Sequence, residues 1–138
     1  NVDTDTYVAY CFVETQGFSR FGGYKGNGVY NGIFCYCGFK PAMVIIKNTD
    51  QTEPWLMYDN ERPGYNETNL KLGAGSYATE NAVSGGGDSA YNEIDIYSNG
   101  FKMTSNNGAT NADDKNFVFY AWAANPLVTS AGVPTTGF

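Results

Sequence analysis

The residues best placed to do chemistry in this chain are the acids of Glu93-Ile94-Asp95-Ile96-Tyr97-Ser98. Two carboxyls about 5–5.5 Å apart across a glycosidic bond perform retaining hydrolysis, one as nucleophile and one as acid/base. Side chains of a strand return to the same face at every second position, so acids at i and i+4 of one face lie near enough to flank a sugar. At i+4 from Glu93 stands Tyr97, which is no acid. The plainer reading makes Glu93, Asp95 and Tyr97 the polar face of an ordinary strand, with Ile94 and Ile96 in the core.

Other chemistry has thinner support. The chain contains no His, which removes Ser-His-Asp and Cys-His catalysis, His-ligated zinc and imidazole proton shuttles. Gly85-Gly86-Gly87 has no adjacent Lys-Ser or Lys-Thr, so no phosphate-binding loop is indicated. Calcium takes six to eight oxygens. Asp113-Asp114 with Asn111, and Asp59-Asn60 with Glu61, would each supply two or three, but Asp and Asn pairs in loops are commonly turn formers. No cofactor is expected, with calcium the one considered. Three cysteines, Cys11, Cys35 and Cys37, cannot all pair within one chain. Cys35 and Cys37 share a strand face, and buried free thiols are the plainer expectation, a single disulfide to Cys11 the other.

A binding role has a more definite candidate. Tyr58, Asp59, Asn60, Arg62, Tyr65 and Asn66 surround the loop after a Trp-bearing strand. Aromatic faces stack on sugar C–H surfaces, and Asn or Asp takes the hydroxyls. Against this, Tyr58 and Trp55 also fit a core, which leaves the remainder as a solvated turn. Asn66-Glu67-Thr68 matches a glycosylation acceptor, a short pattern that arises often by chance.

These residues must be carried by strands. The chain has 138 residues, 42% of them hydrophobic and 16% aromatic, with 17 Gly, 11 Tyr and 9 Phe. That is one domain with one core, rich in strand-forming side chains and poor in helix formers. Apolar runs or alternations at Tyr7–Val13, Gly32–Cys37, Met43–Lys47, Trp55–Tyr58, Leu70–Leu72, Glu93–Tyr97, Phe101–Thr104 and Phe117–Ala123 read as strands. Thr15–Gly28 reads as a Gly-rich connection, with a tight turn at Gly22–Gly28. Gly73–Tyr91 reads as a long exposed loop, and Ser105–Asn116 as a polar loop. Asn99-Gly100 marks a hairpin. The expected fold is all-β: a two-sheet antiparallel β-sandwich of jelly-roll type, one domain over 1–138, with a loose end at about 127–138. Trp55, Trp122, Phe101 and Phe119 are expected in its core.

Eight cations against 14 acids give a net charge of −6. The cations are scattered from Arg20 to Lys115, so no basic surface for nucleic acid is present. No run of apolar residues is long enough for a membrane helix. The chain begins at Asn1, which suggests a removed leader or a piece of a longer polypeptide.

The ordered set of segments resembles a known family. It comprises Tyr7-Val8-Ala9-Tyr10-Cys11-Phe12, Gly23-Tyr24-Lys25-Gly26-Asn27-Gly28, Gly38 to Asp50, Trp55 to Arg62, Ser98-Asn99-Gly100-Phe101-Lys102, Tyr120 to Pro126 and Pro134-Thr135-Thr136. In this order they are similar to a domain of tail-fibre-like and other structural virion proteins of marine and cyanobacterial phages. The resemblance implies a concanavalin-like sandwich on a virion surface or otherwise extracellular. It implies no enzymatic activity, partners among other virion subunits, assembly as a homo-oligomer and contact with cell-surface glycans. Separately, the Glu-Ile-Asp-Ile run resembles the core of jelly-roll β-glucanases, without their second catalytic carboxylate. A capsid decoration protein, a secreted lectin-like module, a filament subunit and a jelly-roll glycan hydrolase are the competing readings.

Overall fold

A computed structural model of the protein describes residue 6 and residues 9–62, 70–74 and 93–126. Their strands are β1 (Ser19–Lys25), β2 (Phe34–Tyr36), β3 (Pro41–Asn48), β4 (Trp55–Asp59), β5 (Leu72–Ala74), β6 (Ile94–Tyr97), β7 (Gly100–Met103) and β8 (Asn116–Ala123). One helical turn, α1 (Gly108–Asn111), precedes β8. The strands form a five-stranded sheet of order β1-β8-β3-β4-β5 and a three-stranded sheet of order β2-β7-β6, and every pairing is antiparallel.

The two sheets face each other across one core, as a β-sandwich requires. Val44, Ile46, Leu56, Tyr58, Phe117, Phe119 and Ala121 come from the larger sheet. Cys35, Ile94, Ile96, Phe101 and Met103 come from the smaller. The rings of Phe101 and Phe119 meet edge to face across the interface, with centroids 5.1 Å apart. The apolar runs Met43–Lys47 and Phe117–Ala123 are the strands expected of them, and within them Val44, Ile46, Phe117, Phe119 and Ala121 are buried.

Several expectations are corrected. Residues 9–14 form no strand, and Tyr10, Phe12 and Val13 are 82%, 59% and 77% exposed. An apolar run alone does not decide burial when no neighbouring strand pairs with it. The part of that run at Tyr7 and Val8 lies outside the described residues. Thr15–Gly28 is no mere connection, because β1 runs through Gly22 and Gly23 and pairs with β8 along its whole length. The segment Ser105–Asn116 contains α1, whose Ala109, Thr110 and Asn111 are buried. Phe101 and Phe119 are core, whereas Trp122 is half-buried and Trp55 is 38% exposed. The readings placed on 75–91 and 127–138 lie outside the described residues.

The hairpin between β6 and β7 exists, but its turn residues are Ser98 and Asn99, and Gly100 already pairs with Tyr97. Gly100 is required for a different reason. A Cβ there would stand 2.2 Å from the Cys35 carbonyl oxygen on β2. Gly38, at φ 80°, does act as a turn glycine and leads the chain into β3 at Pro41.

Candidate functional site

Four of the six residues expected to bind glycan, Tyr58, Asp59, Asn60 and Arg62, lie among the described residues. Tyr58 is wholly buried on the inner face of β4, so its ring is closed to any ligand. Asp59 follows it on the opposite face, where Oδ2 accepts from Arg62 Nε at 2.6 Å. Its Oδ1 accepts from the backbone N–H groups of Glu61 and Arg62, both at 3.2 Å. The backbone N–H of Asn60 donates to the Ala42 carbonyl at 2.9 Å. Asp59 thus serves a turn, as short acidic side chains do. Tyr65 and Asn66 lie outside the described residues, as does the acceptor pattern at Asn66-Glu67-Thr68.

The calcium candidates are occupied by other tasks. Asn111 is buried, and its Nδ2 is shared among Asn27 Oδ1, the Val29 carbonyl and the Ser105 carbonyl at 2.9–3.0 Å. Asp114 pairs with Lys25 at 2.5 Å, and this holds its carboxyl below the usual carboxylate range. Among the described residues no cluster of His, Cys, Asp or Glu could hold a metal ion. Cys11, Cys35 and Cys37 are all free thiols. Cys35 and Cys37 are buried and Cys11 is exposed. Burial is the main force that pushes the Cys35 and Cys37 thiols up to about 12.

A buried polar cluster takes the place of the expected acidic face. Glu93 is not on a solvent-facing strand surface. It lies in the interior with Lys71, Tyr58 and Asn107, all four buried. Lys71 Nζ donates to Glu93 Oε1 and Tyr58 Oη donates to Glu93 Oε2. Asn107 Nδ2 donates to the same Oε1 at 2.7 Å. Asn107 Oδ1 accepts from the Ala109 N–H at 2.8 Å and so caps α1. Burial, and then the Glu93 charge, raise the Tyr58 phenol well above its ordinary range.

The elements position each member of this cluster. Met57 and Leu72 are the last residues paired between β4 and β5, so Lys71 falls beside Tyr58 on the inner face. Glu93 enters from the other sheet, where its carbonyl accepts from the Thr104 N–H at 3.0 Å. Sequence reasoning missed Lys71 and Asn107. Leu70-Lys71-Leu72 reads as a short strand, and nothing local says which way its lysine faces; in the fold Lys71 is buried and Leu72 half-buried. Asp95 and Tyr97 keep the expected outward course, half-buried and exposed. Among the described residues, the side chains bonded to the Glu93 carboxylate are an amine, an amide and a phenol.

The apolar outer face is the second candidate site. Phe12 packs on Phe21 and on Trp122, Phe21 on Tyr120 and Trp122, and Tyr120 on Trp55, with ring centroids 5.6–6.0 Å apart. A hollow of about 510 Å³ opens among Tyr10, Phe12, Ile45, Trp55, Tyr120 and Trp122. A polar hollow of about 540 Å³ lies elsewhere, beside Arg20, Glu14 and Tyr36, and its Arg20 and Glu14 are already paired at 2.5 Å. Among the described residues no helix is long and apolar enough to cross a membrane.

No curated protein and no solved structure matches the chain. A family model described as a domain of unknown function, DUF7483, matches residues 1–126. Because this match spans residues 1–126 of 138, the chain belongs to the DUF7483 family.

Proposed function

We propose that this domain is a non-enzymatic structural module of a phage particle surface, a part of a tail fibre or similar appendage, that works by contact between subunits. The carrying observation is the aromatic outer face of the five-stranded sheet. Phe12, Phe21, Trp55, Tyr120 and Trp122 form one connected series there. Aromatic side chains dominate the energetics of protein interfaces, and a sheet that is apolar on both faces has more such surface than one core uses. The ordered family-like segments supply the phage context.

A subunit contact suits this face better than a glycan. A sugar site needs hydrogen-bonding groups set beside its stacking rings, whereas the hollow is lined almost wholly by apolar side-chain surface. The occupant that fits is a second copy of the chain, since a self-complementary patch closes a symmetric pair without any further component. Homo-oligomer assembly and the virion setting form one reading.

Sedimentation or light scattering across a concentration series tests it. The intact chain is expected to associate. Trp55→Asp, placed at an exposed ring, is expected to be monomeric with an unchanged far-ultraviolet spectrum. An intact chain that stays monomeric throughout would overturn the subunit reading. Binding of the monomer on a glycan array, abolished by Trp55→Asp, would move the same face to host recognition. Carboxylate-dependent cleavage of a β-glucan would overturn the non-enzymatic assignment.

A further inference from the structure

We infer that Lys71, Glu93 and Asn107 form a self-acting site that joins the Lys71 side chain to the Asn107 side chain through an amide bond. Nothing in the contact function requires these residues. A buried ion pair is a poor source of stability, because the cost of desolvation rivals the attraction gained. The geometry, however, matches an acyl transfer. Lys71 Nζ and Asn107 Nδ2 both sit on one oxygen, Glu93 Oε1. Two hydrogen-bond lengths therefore place the amine within about 5 Å of the amide.

Each group has a part. Lys71 is the nucleophile and the Asn107 Cγ the electrophile. Asn107 Oδ1 is already held by the Ala109 N–H at 2.8 Å, where negative charge would develop during attack. Glu93 carries the proton, and the Tyr58 hydroxyl on Oε2 fixes the orientation of its carboxylate. All four side chains are buried, which keeps water from competing for the amide.

The step balances without any further reagent. The Lys71 ammonium gives a proton to Glu93, and the freed amine attacks Cγ. A C–N bond forms, and the carbonyl electron pair moves onto Oδ1. The attacking nitrogen loses a second proton through Glu93, which delivers protons to Nδ2. The Cγ–Nδ2 bond breaks as the carbonyl reforms, and the former amide nitrogen leaves as ammonium. Glu93 ends as it began, a carboxylate. The product ties the strand edge at β5 to the cap of α1, so it spans from the five-stranded sheet to the segment that follows β7.

Intact mass measurement of the folded, then denatured and reduced, full chain tests this directly. The expected mass is about 17 Da below that of the sequence, the loss of one ammonia. Trypsin is expected to leave Lys71 uncleaved and to give a branched peptide containing both Lys71 and the 103–115 segment. Glu93→Gln is expected to keep the full sequence mass. The full mass in the native chain after prolonged incubation, with ordinary cleavage after Lys71, would overturn the proposal. So would the same mass loss in a linear peptide, since Asn107-Gly108 can lose ammonia alone by closing on its own backbone. Loss of ammonia with a branched peptide in Glu93→Gln would remove Glu93 from its role as proton carrier. The native chain decides the matter even where that variant fails to fold.

Discussion

Single residues in this protein do work that their type alone does not announce. Gly100 looks like the second half of an Asn-Gly turn, yet the turn is made by Ser98 and Asn99. Its real constraint is the Cys35 carbonyl, 2.2 Å from where a Cβ would stand. Backbone cannot yield as the end of a side chain can, so β2 and β7 would have to part. Gly100→Ala is expected to destabilise the fold by about 2–4 kcal/mol, the range of a severe overpacking change. Urea unfolding checks this, and an unchanged midpoint would contradict the close approach. Glu93 is the reverse case. Its alternating neighbours suggested a polar face, and only its partners Lys71, Tyr58 and Asn107 reveal an interior acid.

At the scale of elements, the longest strands were the most legible. Met43–Lys47 and Phe117–Ala123 lie within β3 and β8, neighbours in the larger sheet, and are the strands that their apolar runs indicate. β1 was hidden because Gly22 and Gly23 carry no strand signal, and its pairing with β8 supplies what propensity lacks. The one-turn α1 was equally hidden, since a single turn has no period to read. Tertiary contacts hold it: Asn111 accepts from the Asn27 N–H at 3.1 Å through Oδ1, while its Nδ2 serves three acceptors on neighbouring loops. Asn111→Ala would leave those buried groups without their partner. It is expected to cost about 2–4 kcal/mol, read from the denaturant midpoint. A loss under about 0.5 kcal/mol, the scale of an ordinary surface change, would show that Asn111 does not pin α1.

For the molecule as a whole, the buried thiols and phenols resist ionisation, and this sets its response to alkali. Burial pushes Cys35 and Cys37 from an ordinary 9.0 to about 12, and raises Tyr24 and Tyr58 well above 10.0. In the folded state these groups keep their protons, while in the unfolded chain they lose them from about pH 9 upward. The unfolded state then binds fewer protons, so stability falls as pH rises through that window. The urea midpoint is expected to hold near pH 8 and to drop steadily towards pH 11, within the range of these titrations. A midpoint constant over that interval would mean that the thiols and phenols are not closed from water. The sequence by itself determined the all-β character, the main core strands and the shared burial of Cys35 and Cys37, because period-two patterning and composition are local properties of a strand. Only the tertiary structure decided that the larger sheet has an aromatic outer face and that an amine, an acid and an amide meet inside. Those follow from strand order and register, which bring distant residues together and which no local pattern encodes.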